Sequence, residues 1–157
     1  MVSKVTWKLR LDSFIDTKKH SKEEKDKLKE EIGEYLVDKM LEDISLTKSP
    51  VDNSKFPRLS EDYKKFKEKS RRGGSANLEF MGDMLDALKH EPYTAGVEVG
   101  VFDFAEAQKA DNHNKFSGKS KRTGVPKRQF VPKKKQTFRK EIMDGVAKIA
   151  KEVLDDA

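Results

Sequence analysis

VTWKLRL, residues 5–11, alternates Val5, Trp7, Leu9 and Leu11 with Thr6, Lys8 and Arg10. A period of two over this length puts apolar groups on one face of an extended chain and polar groups on the other, which predicts a half-buried strand. Trp7, the only tryptophan, falls on the apolar face and reads as a core anchor. Such a strand needs a cover, and the next segment offers one. Ser21 can cap a helix whose first turn carries Glu23 and Glu24, where negative charge is favoured. Leu28, Ile32, Tyr35, Leu36, Met40 and Ile44 then recur at three- and four-residue steps, with Lys25, Lys29, Glu30, Glu34 and Asp38 on the opposite side. This is a long amphipathic helix, with Gly33 costing roughly 1 kcal/mol relative to alanine. Its apolar stripe is most economically buried on the sheet that contains the first strand.

Further along, residues 46–59 hold two prolines among Asp, Asn and Ser and predict an ordered loop. Ser60 can cap a shorter helix over 60–70, which residues 71–75 (RRGGS) end as a flexible joint. Leu78, Met81, Leu85 and Leu88 form a helical stripe, with Pro92 soon after its end. Residues 97–102 predict a strand, with Gly96 and Gly100 marking turns or close backbone approach. Residues 104–110 fit a helical turn or two, and residues 115–123 are loop. A last helix over about 133–155 buries Phe138, Ile142, Val146, Ile149 and Val153. The order predicts one α+β domain over residues 1–157: a small antiparallel sheet with long amphipathic helices packed on one face, extended loops, and a flexible basic arm at about 112–125.

Composition narrows the function. With 34% apolar and 39% charged residues, the chain can bury only a modest core, which suits a thin domain that gains stability in an assembly. No stretch approaches the roughly 20 apolar residues of a membrane span, and residues 1–14 lack the apolar core of a signal peptide. The absence of cysteine excludes disulfides and thiol chemistry and fits a cytosolic origin. The net charge is +6, yet residues 115–140 hold eleven Lys or Arg and no acid, so the rest is slightly acidic. A one-sign block of this kind is a solvated loop, faces an acidic protein surface, or meets nucleic acid.

Catalytic, cofactor and metal signatures are missing from the sequence. His20, His90 and His113 lie far apart, and none has a partner at ligand spacing. His113 reads as a hydrogen-bonded structural histidine near a loop start. The Gly118-Lys119-Ser120 tripeptide lacks both the earlier glycine and the preceding apolar strand of a phosphate loop, and Gly73-Gly74-Ser75 lacks its lysine. Asp52 and Asn53 are wrongly spaced for a calcium loop, and no nucleophile elbow is present. The expectation is a protein without enzymatic activity.

What the sequence does hold is an ordered set of short boxes: PVDNSKFPRLSEDY (50–63), LEFMGDMLDAL (78–88), VEVG (97–100), AEAQKADNHN (105–114) and VPKRQFVP (125–132). In this order they resemble the phage virion morphogenesis or tail-completion family, over about half the chain. Phe56 stands where that family usually has tryptophan, only Gly82 survives of its Leu-Thr-Gly run, and Gln129 replaces a common proline. The resemblance implies a virion protein of the head–tail neck. It would form a homo-oligomeric ring between the portal or connector and the tail-terminator or tail-tube proteins, and would touch phage DNA at most transiently. It implies location in the virion, and in the host cytoplasm during assembly. Lys119, Lys121, Arg122 and Lys127 would then meet an acidic neighbour. Arg128 and Phe130 would form a fixed contact, the arginine on a carboxylate and the ring in an apolar pocket, with plain core packing the competing account of Phe130. The alternative function is a basic nucleic-acid-binding protein using residues 115–140, where only Phe116, Phe130 and Phe138 could stack on bases.

Overall fold

Alternation in the first strand and three-to-four spacing in the first helix set the two layers. The computed structural model describes residues 3–56, 85–114 and 128–155. Strand β1 spans Val5–Arg10, and a 3-10 turn at Leu11–Ser13 ends it. Helix α1 runs Lys22–Ser45. Ser21 accepts a hydrogen bond from the Glu24 amide while the Glu24 side chain returns to the Ser21 amide, a reciprocal cap that fixes the helix start. Strands β2 (Leu88–Tyr93) and β3 (Gly96–Val101) form a hairpin, and β1 adds antiparallel to the other side of β3, giving the order β1-β3-β2. A second 3-10 turn at Thr17–Lys19 precedes α1, and helices α2 (Phe104–Asn114) and α3 (Lys140–Asp155) complete the described elements. The α+β class, with a small antiparallel sheet, is as expected.

Register explains how the sheet acquires one apolar face. Val5, Trp7 and Leu9 sit opposite Val101, Val99 and Val97, and Leu88 lies across from Val101 on the other side. Directly opposed residues share a face, so these side chains form one surface, and α1 covers it with Leu28, Ile32, Leu36, Met40 and Ile44, all 0–1% exposed. Helix α3 packs against α1 through Ile142, Val146 and Val153, and the same core takes in Phe130 and Phe138. Gly33 faces the sheet, where an added methyl group would overlap the His90 ring. The helix-propensity cost of this glycine is therefore the condition for close approach of α1 to β2. Gly100 has φ +142°, a conformation that other residues adopt only under strain.

Four expectations need correction. Residues 88–93 are a strand, not the end of a helix: Leu85 and Asp86 are helical, the chain turns at Ala87, and Leu88 pairs with Val101. Pro92 stands in an edge strand, where a missing amide is tolerated. Helix α2 extends to Asn114, beyond the turn or two expected, and α3 starts at Lys140, with Phe138 buried ahead of it. Lys29 is not on a solvent face. Its stem is buried, and its ammonium reaches the carbonyls of Tyr93 and Thr94 at 2.8 and 3.3 Å. The predicted helix over 60–70, the joint at 71–75, the stripe positions Leu78 and Met81, and the loop at 115–123 lie outside the described residues.

Candidate functional site

The end of α2, the segment 128–131 and the loop after α1 meet at one place. At the end of α2, Asn114 is fully buried and uses both ends of its amide. Its Nδ2 donates to the Ala110 carbonyl at 2.8 Å, and its Oδ1 accepts from the amides of Phe130 and Val131, both at 2.8 Å. Beside it, the Arg128 amide donates to the His113 carbonyl at 2.8 Å. The chain on either side of residues 115–127 is thus clamped together. A buried amide that holds two backbone donors is a rigid device, because leaving those donors unpaired would cost their full desolvation.

The loop after α1 joins this clamp from the other side. Ser49 is buried, donates through Oγ to the Gln129 carbonyl at 2.6 Å, and accepts from the Val51 amide at 3.1 Å. An Asx turn at Asp52, whose Oδ1 accepts from the Ser54 amide at 3.0 Å, and Asn53 at φ 64° fold the loop back. Lys48 and Lys55 then form an isolated bridge. The Pro50 carbonyl accepts from the Arg139 amide at 2.9 Å.

An ion pair locks the hub to α1. Asp43 is buried, and Arg139 forks onto it through Nε and Nη2 at 3.0 and 3.2 Å, with Lys48 Nζ at 4.0 Å. The Asp43 carboxylate, through these hydrogen bonds, holds the Arg139 guanidinium above its ordinary range, against the opposing effect of burial. Gln129 and Gln136 finish the network: Gln129 Nε2 donates to Gln136 Oε1 at 2.6 Å, and the Gln136 carbonyl accepts from Trp7 Nε1 at 2.9 Å. The Trp7 ring meets Phe138 edge-on, with centroids 5.1 Å apart. Trp7 therefore anchors the sheet to the hub as well as to the core.

Of the predicted partner-binding residues, Lys119, Lys121, Arg122 and Lys127 lie outside the described residues. Arg128 and Phe130 are 5% and 0% exposed, enclosed by their own chain. Phe130 packs in the core, as its competing account has it, and the Arg128 amide serves the clamp. His113 is buried at the end of α2. Among the described residues, no group of three His, Asp or Glu side chains is placed to hold a metal ion, and no helix is long and apolar enough to cross a membrane.

The residues that the sequence does not reveal are Asp43, Ser49, Asn114 and Arg139. Asp43 left one signal, an acid set between Met40 and Ile44 in an otherwise apolar stripe, where burial demands a cationic partner. No family model, curated protein or solved structure matches the chain.

Proposed function

We propose that this chain is a structural virion protein of a tailed phage, a neck or tail-completion component that closes into a homo-oligomeric ring and joins the head connector to the tail. The observation that carries the reading is the clamp at Asn114. It ties two boxes of the phage resemblance together, since His113 and Asn114 hold Arg128, Phe130 and Val131 while Ser49, just before a third box, bonds Gln129. The stretch between the clamped ends, residues 115–127, carries five basic residues and no acid. A scaffold that fixes both ends of a basic stretch is suited to presenting it to an acidic neighbour. Ring closure by head-to-tail contacts is how one kind of chain builds a channel. Leu46 and Phe104, each 58% exposed, add apolar surface for such contacts. The role needs no catalysis and no cofactor.

The test is capture of the proteins encoded by the genes beside its own, tagged and mixed with the purified chain. Replacing Lys119, Lys121, Arg122 and Lys127 by glutamine should abolish capture of a connector or tail component and leave the melting temperature unchanged. Undiminished capture by that variant would remove the assigned role of the basic stretch. The nucleic-acid alternative makes the opposite forecast. Duplex DNA would be retained, its affinity would fall steeply with salt, and neutralising Lys133, Lys134 and Lys135 would release it.

A further inference from the structure

Lys22, Lys25 and Lys29 follow one another at three- and four-residue steps and so lie along one side of α1. Together with Arg10, Asp12 and Asp26 they line an open cleft of about 520 Å³ between the start of α1, the end of β1 and the turn that joins β2 to β3. Its size falls in the range of ligand sites.

Two of the four cations are already engaged. Arg10 forks onto Asp12 through Nε and Nη2 at 3.1 and 2.9 Å. Lys29 is spent on the Tyr93 and Thr94 carbonyls, with Asp26 at 4.0 Å. Lys22 and Lys25 have no ion-pair partner among the described residues. Both stand in the opening turns of α1, where positive charge opposes the helix dipole, so they do not help their own helix. An incoming carboxylate would meet two uncommitted ammonium groups.

The acids in the lining decide which kind of anion fits. A phosphate chain offers only acceptors and would face Asp12 and Asp26. A peptide carries both classes of group: acidic side chains for Lys22 and Lys25, and backbone N–H donors for the two carboxylates. Among the described residues, no aromatic ring lines the cleft on which a base could stack. We infer that this cleft docks an acidic segment of a protein partner, selected by Lys22 and Lys25. The site lies outside the hub and does not depend on the phage reading, because any acidic peptide partner would use the same contacts.

The experiment is an amide NMR titration of the full chain with a short peptide alternating glutamate and glycine. A glutamine–glycine peptide and a single-stranded oligonucleotide of matched charge serve as comparisons. The glutamate peptide should shift the amides of Lys22, Lys25 and Ala95, and the glutamine peptide should not. K22Q/K25Q should weaken binding about tenfold, as expected for two exposed charge contacts acting together. K133Q/K134Q/K135Q, which neutralises the other lysine group, should leave binding within about twofold, well inside the effect of one such contact. The proposal is overturned if the peptide fails to shift these amides or if K22Q/K25Q binds it as well as wild type. It is equally overturned if the oligonucleotide binds the cleft more tightly than the peptide.

Discussion

Replacing Asn114 with alanine removes one side chain and, through it, three hydrogen bonds. Two backbone donors, the amides of Phe130 and Val131, lose their acceptor in a site closed to water. Each buried unpaired amide costs about 1–3 kcal/mol, and the space left by the amide adds a smaller packing loss. The two amides together amount to about 2–6 kcal/mol, a large share of the roughly 5–15 kcal/mol that holds a domain folded. For a chain of this size each kcal/mol moves the melting temperature by about 2–4 °C, so the drop should be readily visible in a thermal melt. Urea unfolding followed by Trp7 fluorescence gives the free energy directly, and Trp7 reports on the hub because its indole donates to the Gln136 carbonyl. Asn114→Asp keeps an acceptor for both amides but places a charge beside the Ala110 carbonyl, and should fall between wild type and Asn114→Ala. A loss below about 1 kcal/mol in Asn114→Ala, no more than one ordinary hydrogen bond, would refute the clamp.

Three further outcomes follow from the packing. Gly33→Ala should destabilise by about 1–2 kcal/mol because the methyl group meets the His90 ring, although helix propensity alone forecasts a gain of roughly 1 kcal/mol; the sign of the shift in a thermal melt decides. Asp43→Ala leaves Arg139 without its forked partner in a largely buried setting and should cost about 3–5 kcal/mol in urea unfolding. Glu98 is subject to burial, which acts to raise its pKa, but the hydrogen bonds from Lys4 and Thr6 and the charge of Lys8 outweigh this and hold it below the usual glutamate range. A carboxylate depressed in the folded state stabilises above its unfolded pKa and loses that contribution as pH falls through the folded value. The stability gap between wild type and Glu98→Gln, measured by urea unfolding at a series of acid pH values, should therefore be widest near neutrality and close on acidification.

The parts of the fold legible in the sequence are those written in local periodicity. β1 alternates, α1 carries its cap and stripe in contiguous residues, and the buried positions Phe138, Ile142, Val146 and Val153 follow helical spacing. β2 is hidden because Leu88 is the only large aliphatic residue in LKHEPY, and because it continues the three- and four-residue spacing of Leu78, Met81 and Leu85 in the sequence. Its strand character comes from pairing with β3, which local pattern does not encode. The hub is hidden for a related reason. Asp43 and Arg139 are 96 residues apart, and Asn114 reaches amides 16 and 17 residues away. The box over residues 125–132 was visible as a motif, but an arginine and a phenylalanine between prolines fit a contact surface and a core equally well. In the folded chain Phe130 is buried among core residues.

Native mass spectrometry of the purified protein tests the proposed assembly of the chain with copies of itself into a closed ring. A single closed oligomer is expected, its subunit number unchanged by salt, seen by electron microscopy as a ring with an axial channel. A monomer at every concentration, retaining duplex DNA with an affinity that falls steeply as salt is raised, would contradict it.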